Sequence, residues 1–147
     1  MLEFLLAGIP LLLFLMMILQ LSLLWIDKGT VDAAAHFAAR KFARTARINF
    51  ESARQEALLE AWKICLNRPG GSLASMAMTT LDITRDGKQK VNRAAAGDAL
   101  CVQLIHGVRL IVPWADWVLF NISSGPKTSI GNQYYLMLQS TRWVTVE

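Results

Sequence analysis

A long apolar stretch at the start of the chain, residues 2–26, most constrains what this sequence can fold into. From Phe4 to Leu19 every residue is apolar apart from Gly8 and Pro10. In a helix, about 25 residues at 1.5 Å each reach roughly 37 Å, more than the ~30 Å hydrocarbon core of a bilayer. We therefore predict a membrane-inserted or filament-core helix over residues 1–26, followed by a globular domain over residues 27–147.

Two features of this helix are unusual for a plain anchor. Glu3 places a carboxylate in an apolar helix, where it is costly and usually has a partner, although the helix dipole favours an anion in the first turn. Pro10 removes an N–H and frees the carbonyl of Leu6, and Gly8 beside it lowers the cost of bending. A helix that first sits in a membrane and then packs against copies of itself would use both features, so we expect a bend between Leu6 and Pro10 in an assembled state.

The first third of the chain resembles TadE-like proteins, which are pseudopilins of the tight-adherence (Tad) branch of type IV pilus systems. The resemblance rests on Glu3-Phe4, Pro10, the Leu-rich run that follows it, and the alanine-rich segment 32–40, which ends in Ala-Arg. It implies a structural subunit, not an enzyme, that assembles through Glu3, Phe4, Gly8 and Pro10. The α-amino group of a neighbouring subunit is then the expected partner of Glu3.

The resemblance also implies partners and a location. The partners are further copies of the chain in a helical filament, or other pilins, after residence in the inner membrane. The domain lies in the periplasm and then on a cell-surface filament. Basic residues follow the helix and none precede it, which alone would leave the domain in the cytoplasm. A basic leader upstream of Met1 reconciles the two. A monomeric, membrane-anchored periplasmic accessory or ligand-binding module is the alternative.

Four basic residues, which we call the basic collar, follow the apolar stretch: Arg40, Lys41, Arg44 and Arg47. They share or border one face of the helix expected over residues 27–47. A solvated face is the plain interpretation. Contact with phospholipid headgroups, or with acidic patches of a neighbouring subunit, are the functional ones.

The rest of the chain predicts an α+β, pilin-like fold. Alanines at helical spacing continue the first helix to Arg47, and Asn49 is a good N-cap for a second helix ending near Leu66. The breakers in segment 67–72 end the helical part (27–67), and residues 73–147 have the texture of strands. About four antiparallel strands packed on the helices are expected, from the candidate segments 76–84, 88–91, 100–112, 117–122 and 134–146.

Two further groups in the domain leave alternatives open. Cys65 and Cys101 are the two cysteines of the chain. A disulfide between them would tie the second helix to the sheet in an oxidising compartment, and two buried thiols are the alternative. Trp114 and Trp117 form an aromatic cluster that is either core or an exposed patch meeting a neighbouring subunit.

No residues suggest catalysis, a metal, a cofactor or a small-molecule substrate. His36 and His106 have no second ligand at a suitable spacing, and no glycine-rich loop joins a strand to a helix. The net charge of +4 is modest and lacks the dense basic stripe of a nucleic-acid-binding protein. We therefore expect a non-enzymatic protein whose partners are proteins and a membrane.

Overall fold

A computed structural model describes residues 2–67, 72–85, 87 and 89–147, with side chains from Ala7 onward. The helices are α1 (Leu2–Thr45), α2 (Phe50–Leu66), α3 (Leu73–Ala77) and α4 (Ala115–Ile122). The strands are β1 (Thr80–Arg85), β2 (Gln89–Lys90), β3 (Ala99–Arg109), β4 (Lys127–Ile130) and β5 (Gln133–Thr145). The predicted α+β, pilin-like class is confirmed.

The first helix is continuous over 44 residues and contains Pro10. Gly29 lies within this helix and does not interrupt it. The chain then turns back and α2 packs along the second half of α1. Asn49 caps α2 as expected, since its Oδ1 accepts the backbone N–H of Ser52 at 3.1 Å. An edge-to-face contact of the Phe42 and Phe50 rings, with centroids 5.4 Å apart, closes the turn.

Small side chains line the interface between α1 and α2. Their methyl groups let the two helix backbones approach closely, and this part of the core is fully shielded from solvent. The alanines of the main core cluster are Ala34, Ala35, Ala38, Ala39, Ala46, Ala53, Ala57 and Ala61. The same layer packs on one face of β3, through Leu100, Val102 and Leu104.

The sheet is entirely antiparallel with the order β2-β1-β3-β5-β4. Its centre is the long β3–β5 ladder, from Ala99↔Thr145 to Arg109↔Tyr135. The second half of α1 runs in the same direction as β5. Lys28 Nζ donates to the carbonyl of Gln139 at 2.6 Å, and the Glu147 N–H donates to the carbonyl of Ala43 at 3.1 Å. The start of β5 therefore lies toward the N-terminal half of α1.

Three local expectations were wrong. Residues 73–77 form a helix, because Ser72 accepts the N–H of Ser75 at 3.1 Å and caps it. The segment 117–122, expected as a strand, belongs to α4, which shows that the strand preference of Trp, Val and Phe yields to tertiary context. Finally, β4 was missed, so the described sheet has five strands and not four. The long last strand was predicted within one residue at each end.

The close α1–α2 packing yields a testable prediction at Ala57, which is fully buried. Ala57→Leu should destabilise the domain by about 1–3 kcal/mol, because the added atoms force the two helices apart. Thermal unfolding of the purified chain in detergent, followed by near-UV circular dichroism, measures this. Ala33→Leu, the same change on an exposed face of α1, is the matched control. Equal stability of the two variants would contradict the close packing.

Candidate functional site

The N-terminal half of α1 carries apolar side chains that are mostly exposed, and only Leu13, Met16 and Met17 are half-buried. None of the described side chains from Ala7 to Leu19 is buried, and Leu11 and Phe14 are 71% and 65% exposed. By length and composition, the described helix from Ala7 contains a stretch able to cross a membrane. A helix that is apolar all round requires lipid or protein around it. We take residues 7–19 as the candidate site and call them the apolar stem.

Gln20 marks the point where the stem meets the domain. Its side chain is 1% exposed, and its Oε1 accepts the backbone N–H groups of Ile111 at 3.1 Å and Val112 at 2.7 Å. These N–H groups belong to the chain just after β3, where the sheet offers them no ladder partner. One side-chain amide therefore fixes α1 against the end of the central strand.

Gln20 was missed at the sequence level, although a signal for it exists. It is an amide inside an otherwise apolar run, and Asp27 and Val31 follow it at intervals of seven and four. These spacings place all three on one helical face, and all three are buried. A polar residue in helical register with buried positions indicates a contact with the domain.

The helical segment from Glu3 to Gln20, which contains the stem, has nearly the length of a bilayer core. Glu3 and Gln20 are 17 positions apart, or about 26 Å along the helix, against the ~30 Å hydrocarbon core. Leu13, Met16 and Met17 are half-buried, and Gln20 is the first fully buried residue, six positions before the expected boundary at residue 26. Trp25, still within the apolar sequence, is 82% exposed beside the domain.

The residues expected to mediate assembly lie at the far end of α1. The side chains of Glu3 and Phe4 lie outside the described residues. Gly8 and Pro10 lie on the exposed stem, and no atom comes within 4 Å of a Cβ built on Gly8. A neighbouring helix therefore has open access to this segment. The bend expected in an assembled state stays a prediction, since Pro10 lies within a continuous helix here.

A polar cluster fixes α1 to β5 beyond the stem. Lys28 Nζ lies 3.0 Å from Oδ1 of Asp32 and also donates to the Gln139 carbonyl. A hydrogen bond from the Ser140 side chain lowers the pKa of the Asp32 carboxyl below its ordinary value. Partial burial opposes that effect, and the charges of Lys28 and Arg142 reinforce it. The ionised carboxylate therefore stabilises the docked helix.

The basic collar lies at the opposite end of α1, near the turn into α2. Lys41 pairs with Glu56 of α2 at 3.2 Å, and Arg40, Arg44 and Arg47 are exposed. Arg40 is about 30 Å along the helix from Gln20. If the stem spans a bilayer, the headgroups around that stem are out of reach of the collar. The geometry favours a solvated face or an acidic neighbouring subunit.

The expected disulfide is not present between the two described cysteines. Cys65 and Cys101 are both buried, but no S–S bond joins them. Cys65 belongs to the core with Leu100 and Val102, which flank Cys101 in β3. Because successive strand side chains point to opposite faces, Cys101 lies on the other side of the sheet from Cys65.

The two tryptophans, for which both core and an exposed patch were open, are at the surface. Trp114 and Trp117 are 54% and 55% exposed, so of the two alternatives only the exposed patch is consistent with the structure. His106 is buried, with its Nδ1 2.7 Å from the hydroxyl of Thr79. Within the described residues, no three His, Cys, Asp or Glu side chains come together as a metal site would require.

Comparison with known proteins supports the same segment. Residues 1–40 match the family model described as TadE-like protein, which confirms the resemblance drawn from the sequence. The match ends within α1, so it covers the stem and its junction with the domain. It supports a Tad pilus-associated protein of a structural family. No curated protein and no solved structure matches the chain.

The Gln20 contact can be tested by removing its amide. Gln20→Leu leaves the N–H groups of Ile111 and Val112 without their acceptor and should cost about 1–3 kcal/mol of stability. Hydrogen exchange at these two amides should accelerate. Ser22→Ala is the control, because the exposed Ser22 hydroxyl bonds only within α1, to Ile18. Unchanged exchange in Gln20→Leu would contradict the assigned contact.

The Asp32 cluster predicts a pH dependence. A lowered folded pKa means that the carboxylate contributes stability above its unfolded pKa, about 4, and loses it as pH falls through the folded value. Wild type should therefore exceed Asp32→Asn in stability at neutral pH, and the difference should vanish in acid. Ser140→Ala should reduce that difference, since Ser140 is the largest cause. A difference independent of pH would exclude this role. Denaturant unfolding across the acid range measures it.

Proposed function

We propose that this chain, whose first 40 residues match the TadE-like family, is a pilin-like structural subunit of a Tad-type pilus or pseudopilus. It resides in the inner membrane through the apolar stem, with residues 27–147 as a periplasmic pilin-like domain. It then assembles through the stem into a filament at the cell surface. Its partners are further copies of itself or other pilins.

The observation that carries this proposal is the uncovered apolar stem, which projects from a well-packed domain. Burying one large apolar side chain fully is worth about 1.5–3 kcal/mol. The stem exposes seven such side chains, at 43–71%: Ile9, Leu11, Leu12, Phe14, Leu15, Ile18 and Leu19. One charged residue in a membrane helix costs about 2.5–3.5 kcal/mol even at the centre. The apolar gain therefore outweighs the cost of Glu3.

Filament assembly, beyond simple anchoring, is supported by what Glu3 requires in each setting. With Gln20 at one face of the bilayer, Glu3 comes within reach of the opposite headgroups. In a bundle of stems no headgroups are present, and a carboxylate needs a cationic group from a neighbouring subunit. Pro10 and Gly8 lie between Glu3 and the rest of the stem. They allow the helix to bend, so that the Glu3 carboxylate can reach such a partner.

The domain has features suited to a packing unit. The α1–α2 layer and the sheet give it a rigid core, and the polar cluster around Asp32 holds α1 in one orientation. The basic collar is proposed to face acidic side chains of a neighbour, about 30 Å above the stem junction. The proposed role therefore requires no catalytic group.

Replacement of Glu3 tests assembly separately from anchoring. Glu3→Ala should leave the chain in the inner membrane but lower its recovery in filaments sheared from the cell surface, because the partner of the carboxylate is lost. Quantitative immunoblotting of membrane and sheared fractions measures both. Glu51→Ala, which removes an exposed acid from the first turn of α2, is the control.

Unchanged recovery of Glu3→Ala in filaments would remove the case for a cationic partner. Wild-type chain that never leaves the membrane fraction would favour a monomeric, anchored accessory or ligand-binding protein.

A further inference from the structure

We propose that four exposed apolar residues at the underside of the domain form a second membrane contact, seated in the headgroup region of the bilayer that holds the stem. They are Ile111, Trp114, Trp117 and Ile122, and we call them the aromatic base. The inference rests on the proposed insertion of the stem and adds an interfacial surface to it. Their exposure runs from 43% to 72%.

The first support is the position of the base along α1. Val112 lies between Ile111 and the turn at Trp114, and its N–H bonds Gln20. The helix α4 begins three residues later, where the N–H of Asp116 donates to the Val112 carbonyl at 3.0 Å. The base therefore starts at the level of α1 where the apolar stem ends.

The second support is that the far end of α4 lies at the same level. The Phe120 ring lies 4.7 Å from the ring of Tyr134, which stands near the start of β5. Lys127 Nζ donates to the carbonyls of Phe120 and Ser123 at 2.6 and 2.8 Å. The start of α4 thus follows the end of β3, and its far end contacts Tyr134 near the start of β5 and Lys127, which pairs with Leu136 three residues into β5. The helix α4 therefore lies across the underside of the domain.

The thickness of the headgroup layer places the aromatic base in contact with lipid. The headgroup layer on each side of the hydrocarbon core is roughly 5–8 Å thick. If the core surrounds the stem up to Leu19, that layer begins at Gln20, where Val112 and α4 lie. Lipid that covers the stem therefore reaches the base as well, whereas a second copy would need a separate interface.

The chemistry of the base suits that layer. Tryptophan is enriched at membrane–water interfaces because its ring is apolar while its N–H remains solvated. Trp25, 82% exposed and about 7 Å beyond Gln20 along α1, adds a third indole at this depth. The carboxylate of Asp116, the acid of α4, accepts a hydrogen bond of 2.6 Å from the backbone N–H of Trp117.

The backbone at Trp114 gives independent support. Trp114 has φ +73° and ψ −47°, a conformation that a bulky residue rarely adopts. A hydrogen bond of 2.9 Å from the Ala115 N–H to the Pro113 carbonyl closes this tight γ-turn. Such strained backbone conformations cluster at functional positions. Here this conformation presents an indole to the outside of the domain.

Site-specific fluorescence on the full chain tests the proposal. Ile122→Cys, Leu12→Cys and Trp143→Cys are labelled with the environment-sensitive dye NBD and reconstituted in phosphatidylethanolamine–phosphatidylglycerol vesicles. Cys65 and Cys101 are buried, but Cys101 pairs with Trp143 across the β3–β5 ladder, so every variant also carries Cys101→Ala and the labelled Cys101→Ala chain gives the blank. Trp143 is the matched control: it is 60% exposed but about 30 Å along β5 from Tyr134. Trp117→Cys replaces Ile122→Cys if that variant does not fold.

Insertion of the base predicts a blue shift and a several-fold gain of NBD emission at Ile122 and at Leu12, with water-like emission at Trp143. Brominated lipids should quench both membrane sites, with the dye at Ile122 at the shallower depth. If emission at Ile122 equals that at Trp143 while Leu12 is in lipid, the proposed membrane contact of the aromatic base is wrong and only the stem anchors the chain.

Two other outcomes would also overturn the proposal. A water-like label at Ile122 in vesicles that becomes shielded only in filaments would assign the base to a second copy of the chain. A water-like label at Leu12 would refute insertion of the stem, and with it the proposed function.

Discussion

The structure depends on the contact between Gln20 and the end of the central strand. Its Oε1 holds the N–H groups of Ile111 and Val112, so the apolar helix leaves the domain at a defined point and in a defined direction. The second half of α1 is fixed by its packing on α2 and the sheet, and the Gln20 contact extends that attachment to the end of the stem. With it, the depth of insertion, the height of the domain above the bilayer and the orientation of α4 are all determined together.

The two halves of α1 solve different packing problems with different side chains. The stem uses large Leu, Ile, Phe and Met side chains all round, which suits lipid or a bundle of identical helices and needs no particular partner. The second half restricts its buried face mainly to alanines, which allow α2 and the sheet to approach closely. The change from Leu-rich to Ala-rich sequence near Asp27 therefore marks a change of environment along one unbroken helix.

Much of this was readable from the sequence, and the exceptions have physical causes. Long, strongly patterned elements such as α1, α2 and β5 were predicted, because hydrophobic periodicity and the Asn49 cap act locally. The helix α4 was taken for a strand because its Trp, Val and Phe favour strands locally. The two alternatives for the cysteine pair stayed open because sequence separation does not reveal the sheet face of Cys101. Gln20 bonds a residue 91 positions away in the sequence, and only its polar character within the apolar run indicated that contact.

Cross-linking within surface filaments tests the central claim most directly, that the uncovered stem is the assembly element. Leu12→Cys places a thiol on the exposed stem, 54% accessible and far from the two buried cysteines. The account predicts that oxidation of sheared filaments joins this chain to copies of itself or to a stem cysteine engineered in another pilin. The control Trp143→Cys, made together with Cys101→Ala because these two positions pair across the β3–β5 ladder, should give far less of this product. Filaments in which Leu12→Cys never cross-links, while the chain remains monomeric in the inner membrane, would contradict it.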